Sequence, residues 1–206
     1  MQTPVSSERV MRHAAVDRWF HWLTGVAVLT LLGTGVLPVL GVKFSWVTIH
    51  WITGVLLTLL FLFHLVRATF WQKLRCMWIG MRDLRDTLRK APPGKYSLAQ
   101  KLMHHAMSVM VLTAVATGVC MLAKVDTPWW KRDPYFFAAD TWGIIYVLHG
   151  LAALTAITLI MIHVYFALLP EKRLYLRAMW RGWITPAELA ANHDPKRWQG
   201  QRGKRP

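Results

Sequence analysis

Residues 141–170 read TWGIIYVLHGLAALTAITLIMIHVYFALLP, thirty residues without one Asp, Glu, Lys or Arg. A helix needs about 20 residues to cross the hydrocarbon core of a bilayer, so this run is long enough to span one. Three further stretches lack charge altogether: Trp22 to Val42, Phe44 to Val66 and Leu102 to Ala123. With 54% hydrophobic residues and a positive mean hydropathy, the 206-residue chain reads as an all-α membrane protein. The expected fold is a four-transmembrane-helix bundle in one domain over 1–206, with spans at about 19–41, 46–70, 102–123 and 142–168.

The net charge of +15 would suit a nucleic-acid binder if the charges were spread over one surface. They are segregated along the chain instead. Of 25 Lys and Arg, 21 fall in residues 1–21, 67–101 and 171–206, while the alternate connections hold only Lys43, Lys124, Lys131 and Arg132. The positive-inside rule puts both termini and the 67–101 loop in the cytoplasm, with the 41–47 and 124–140 connections outside. The basic charge is topological, which excludes nucleic acid as the expected partner and makes a bacterial inner membrane the expected location.

Outside the spans, Ser6-Ser7-Glu8-Arg9 opens a short surface helix, and Arg82 to Lys90 forms a charged helix ended by Pro92-Pro93-Gly94. The 124–140 connection crowds Trp129, Trp130, Tyr135, Phe136 and Phe137, as an interfacial belt or a partner's docking surface would. The tail 171–206, with Trp180, Trp183 and Trp198, suits an amphipathic segment on the inner lipid interface or against another subunit. Cys76 and Cys120 match no thiolate cluster and no covalent haem motif. The first apolar stretch is too long for a signal peptide and stays as a mature helix.

Histidines carry the chemistry. His50, His64, His149 and His163 lie within uncharged stretches, and His21 sits at the mouth of the first. An ionisable ring at membrane depth points to function. His149 and His163 are 14 residues apart, so both face one side of a helix, roughly 21 Å apart along its axis. One zinc or di-iron centre cannot use both. Two cofactors at two depths can: His50 with His149 near the outer ends, and His21 with His163 near the inner ends. Haem iron with two axial imidazoles, clamped between helices, fits such pairing. Gly25, Gly54 and Gly150, close to the ligands, would allow a flat macrocycle to approach the backbone, although small residues also serve plain helix packing. His64 is likewise 14 residues after His50, so spacing alone equally supports His64 with His163 as the inner pair.

The chain resembles the cytochrome b, or gamma, subunit of membrane-bound respiratory formate dehydrogenases. The likeness runs through Arg18-Trp19-Phe20-His21-Trp22, Ile49-His50 with Gly54, Gly94-Lys95-Tyr96-Ser97-Leu98-Ala99-Gln100-Lys101, Leu148-His149, and His163-Val164-Tyr165 with Ala167. It continues in Gly182-Trp183-Ile184-Thr185 and Pro195-Lys196-Arg197-Trp198. The resemblance implies two haems b, with His50 and His149 ligating the outer and His21 and His163 the inner, which favours His21 over His64. It also implies a quinone site beside the inner haem around Ser97, Ala99 and Gln100, although the family often has Asn and Gly where this chain has Ser97 and Ala99. His104 and His105 are candidates for proton relay there or for simple interfacial anchoring. The implied partners are an iron–sulphur subunit and, through it, a molybdenum or tungsten catalytic subunit, since this chain has no formate-oxidising site. The histidine layout is shared by cytochrome b subunits of uptake hydrogenases and thiosulphate reductases, and a stand-alone di-haem quinone oxidoreductase is a further alternative.

Overall fold

A computed structural model of the chain describes residues 9–72 and 74–198. In order these form β1 (Val10–Met11), α1 (Ala15–Val39), α2 (Trp46–Trp71), α3 (Met81–Leu88), α4 (Leu98–Met121), α5 (Ala139–Leu168), α6 (Arg173–Arg181), β2 (Trp183–Ile184) and α7 (Pro186–Asn192). Helices α1, α2, α4 and α5 are long and apolar enough to cross a membrane. Each overlaps one of the four expected spans, with ends shifted by up to four residues for local reasons. Helix α1 stops just past Pro38, where Gly41 at φ +87° lets Val42 N–H reach the Leu37 carbonyl at 3.0 Å. Helix α4 starts at Leu98 because Ser97 and Gln100 cap it reciprocally. The Ser97 N–H donates to Gln100 Oε1 at 3.0 Å, and the Gln100 N–H donates to Ser97 Oγ at 3.3 Å.

The chain divides into two compact units. The first, residues 20–72 and 105–162, holds most of the four long helices. Its buried positions are mainly small or weakly polar: Ala27, Thr34, Ala68, Thr117, Ala152 and Ala156, with Leu57, Met110, Trp142 and Ile145. Large apolar side chains point outward instead, Val26, Leu59 and Leu154 among them. Water would penalise so much exposed apolar surface, whereas lipid accepts it, and small residues let helix backbones approach closely. The 124–140 connection folds on its own aromatics. Trp142 Nε1 donates to the Pro134 carbonyl at 3.0 Å, Lys124 Nζ lies 4.2 Å from the centre of the Trp142 ring, and Trp129 meets Trp51 edge to face. Tyr135 and Phe136 remain exposed.

The second unit comprises, among the described residues, 9–19, 74–104 and 163–198. Here β1 pairs antiparallel with β2, Val10 opposite Ile184. That corrects the expected surface helix at its described end: Arg9 is irregular and leads into a strand, while Ser6–Glu8 lie outside the described residues. Helix α3 overlaps the expected 82–90 segment, starting one residue before it, and ends before the Pro92-Pro93 pair. The tail is tied down by polar bonds. Arg197 donates to Asp86 at 2.6 Å and to Asp194 at 2.7 Å, and Asp194 N–H reaches the Pro93 carbonyl at 2.8 Å. Residues 199–206 of the expected amphipathic tail lie outside the described residues.

At the heart of this unit Arg12 is 2% exposed, and among the described residues no carboxylate bonds its guanidinium. It donates to His193 Nε2 and to the Lys95 carbonyl, each at 3.0 Å, and lies over the rings of Tyr175, Trp198 and Tyr96. Burial pushes the Tyr96 phenol up to about 12, so that ring stays neutral.

Candidate haem site

Two imidazoles meet in the helical unit. His50, on the second turn of α2, and His149, on the third turn of α5, have ring centroids 6.2 Å apart with planes inclined by 68°. Metal–imidazole bonds of about 2 Å on either side of one iron would set the two ring centres roughly 6 Å apart. The observed separation therefore suits two axial ligands of a single iron, and it brings together one of the expected pairs.

Each ring is held by a residue that sequence reasoning missed. Thr34 Oγ1 on α1 is 2.8 Å from His50 Nδ1, and Thr117 Oγ1 on α4 is 2.8 Å from His149 Nδ1. With both Nδ1 atoms engaged, Nε2 is the nitrogen left for a metal on each ring. The following glycines support the same rings: a Cβ on Gly35 would lie 3.6 Å from His50 Cε1, and one on Gly118 would lie 3.5 Å from His149 Cε1. The signal was present in the chain as Thr34-Gly35-Val36 and Thr117-Gly118-Val119, one copy on the helix preceding each ligand's helix.

Gly25, Gly54 and Gly150, the glycines that the sequence places nearest the histidines, differ from Gly35 and Gly118. A Cβ at any of these would meet no protein atom within 4 Å. Helix packing therefore does not require glycine there, and open space beside the histidines is compatible with a flat macrocycle. Among the described residues no cluster of three or more His, Cys, Asp or Glu could hold a bare metal ion.

Of the other candidates, His21 lies in the second turn of α1, half-buried, with its ring edge-on to Trp22 at 5.2 Å. His64 stacks on Phe20 at 4.7 Å with planes 13° apart, giving it a packing role beside His21's neighbour. His163 lies five residues before the end of α5, exposed. Ser97 and Gln100 form the cap of α4, Ala99 is exposed in its first turn, and His104 and His105 are exposed two turns in.

The model of the prokaryotic cytochrome b561 family matches residues 12–182. The chain is also similar to the formate dehydrogenase cytochrome b556 subunit of Haemophilus influenzae, at 25% identity over 92% of this chain and 82% of that protein. Similarity to the formate dehydrogenase cytochrome b556(fdo) subunit of Escherichia coli K12 is 26% over 93% of this chain and 92% of that protein. A family match over most of the chain, four apolar helices and a facing imidazole pair agree: this chain belongs to the prokaryotic cytochrome b561 family, membrane cytochromes that bind haem b.

Proposed function

We propose that this chain is the di-haem cytochrome b subunit of a membrane-bound respiratory oxidoreductase, formate dehydrogenase first among them. In this reading electrons pass from an iron–sulphur partner on the outer side to quinone near the cytoplasmic side. The observation that carries it is the 6.2 Å approach of His50 and His149, in a chain whose relatives are named as formate dehydrogenase cytochrome subunits. His50 and His149 would hold the outer haem, and His21 and His163 the inner. The ring of His64 is occupied in stacking on Phe20, which supports His21 for the inner pair. Bound haem supplies one-electron redox chemistry without rearrangement of its two axial ligands.

The chain's own residues supply the rest. Thr34 and Thr117 orient the outer ligands, and the lipid-facing apolar helices exclude water from them. Exposed Trp129, Tyr135 and Phe136 on the 124–140 connection offer an aromatic surface for the iron–sulphur partner. At the cytoplasmic side, Gln100 spends its carbonyl on the α4 cap but keeps its amide N–H donors for a quinone oxygen, beside Ala99, with His104 and His105 as candidate proton carriers. The segregation of Lys and Arg supports an inner membrane location with both termini inside.

Affinity purification from native membranes tests the reading. An iron–sulphur subunit and a molybdenum or tungsten subunit should co-elute, and formate should reduce the b-type absorbance. Reduction by hydrogen alone, with a nickel-containing partner, would move the chain to the hydrogenase class. Elution without partners would favour a stand-alone quinone oxidoreductase.

A further inference from the structure

The two threonines beside the ligands do more than pack, and counting protons shows how. Thr34 and Thr117 are 6% and 7% exposed, each on a helix other than the one that carries its histidine. A threonine hydroxyl has one proton to give and two lone pairs. Thr34 Oγ1 is 2.8 Å from the Thr30 carbonyl and 3.2 Å from that of Leu31. Thr117 Oγ1 is 2.6 Å from the Thr113 carbonyl and 3.2 Å from that of Ala114. Carbonyls only accept, so each hydroxyl proton is committed to its own helix backbone. What each hydroxyl turns toward the imidazole, at 2.8 Å in both cases, is a lone pair. His50 and His149 must then donate from Nδ1–H, which leaves the Nε2 lone pairs for the iron.

We propose that Thr34 and Thr117 are paired positioning residues that fix His50 and His149 as neutral Nδ1–H imidazoles, set their ring planes and thereby tune the reduction potential of the haem they hold. This rests on the ligand assignment proposed above. A hydrogen-bond acceptor on the second ring nitrogen makes the ligand more basic, which favours ferric iron. A hydroxyl is a weaker acceptor than a carboxylate, so the pair holds the potential at a moderate rather than a low value.

The test uses Thr34→Val and Thr117→Val, which keep volume and remove the acceptor, together with Thr34→Ser and Thr117→Ser, which keep it. Haem content, loss of haem to apomyoglobin, electron paramagnetic resonance of the ferric protein and potentiometric titration are measured on the purified chain in its complex. Both valine variants should bind haem yet lose one of their haems at least about tenfold faster, with altered g-values and a raised midpoint for that haem alone. The serine variants should behave as wild type. His50→Ala and His149→Ala run alongside. If these lose one haem while the valine variants match wild type in release rate, g-values and midpoint, the threonine proposal is overturned and the ligand assignment stands. If the alanine variants keep both haems, the ligand assignment itself fails. Should a valine variant fail to accumulate, the serine variant decides, because altered g-values with the hydroxyl retained would contradict the proposal.

Discussion

Acidification should release the C-terminal segment from its dock, and His193 sets where. The ring is 1% exposed and wedged between Arg12, the 94–96 segment, Tyr175 of α6 and Trp198. Its Nδ1–H donates to the Gly94 carbonyl at 2.7 Å, and its Nε2 accepts from Arg12 at 3.0 Å. Protonation would remove that acceptor and set a second cation against the guanidinium. Burial first, then the charge of Arg12, hold the imidazole down from 6.5 to about 4. The undocked ring takes up its proton first as pH falls. The docked state is therefore fully stable above about 6.5, loses stability between 6.5 and 4, and loses no more from this group below that. The gap corresponds to about 3 kcal/mol, a change of roughly three-hundredfold in the docking equilibrium. The nearby carboxylates Asp194, Glu188 and Asp83 are all held below their ordinary values by hydrogen bonds and neighbouring cations, so whatever stabilisation they lose on acidification is common to the wild type and to a variant at His193. Hydrogen exchange across residues 186–198, corrected for the intrinsic pH dependence, reads the effect through the amides of His193 and Asp194, which donate to Leu189 and Pro93. Protection should fall steeply from pH 6.5 to 4 in the wild type and lose that slope in His193→Gln. Flat protection in the wild type over that range, or an unchanged slope in the variant, would refute the reasoning.

Gly182 sits at φ +87°, where an added Cβ would lie 2.9 Å from the His13 carbonyl oxygen. Gly182→Ala should therefore cost about 1–3 kcal/mol, seen as a lowered unfolding midpoint in detergent, and a wild-type midpoint would contradict the close approach. For the inner haem, His21→Ala should lose the cofactor as His163→Ala does, whereas His64→Ala keeps both haems; the reverse ranking of His21 and His64 would return the choice to the repeated 14-residue spacing. Gln100→Glu retains an acceptor for the Ser97 N–H and removes the amide donors, so α4 should stay capped while quinone-analogue binding weakens. Unchanged analogue affinity in that variant would move the quinone site away from residues 97–100.

The four long apolar helices were legible because uncharged runs of bilayer length admit one reading in lipid, and the approach of His50 to His149 because both lie near the same ends of their helices. What escaped was contact between distant segments. The pairing of Val10–Met11 with Trp183–Ile184 involves two residues a side, too short for any alternating pattern. The burial of Arg12 against His193 has no charge-pair signature, since the partner is a neutral ring and the cation also rests on aromatics. Ser97 and Gln100 were visible as polar residues ahead of a span, but their spacing is also that of a capping box, and the first role the structure gives them is to start α4. Thr34 and Thr117 carry little signal one at a time, because a lone threonine in an apolar helix ordinarily bonds its own backbone. Only the repeated Thr-Gly-Val, read against the histidines, distinguishes them.

The most direct measurement is haem stoichiometry by pyridine haemochrome on the purified chain, joined to low-temperature electron paramagnetic resonance of the oxidised protein. Two non-covalent b haems per chain, both low-spin, are expected in the wild type, with one lost in His50→Ala and in His149→Ala. A single haem in the wild type, a high-spin signal in the intact protein, or two haems retained in either variant would contradict the di-haem reading.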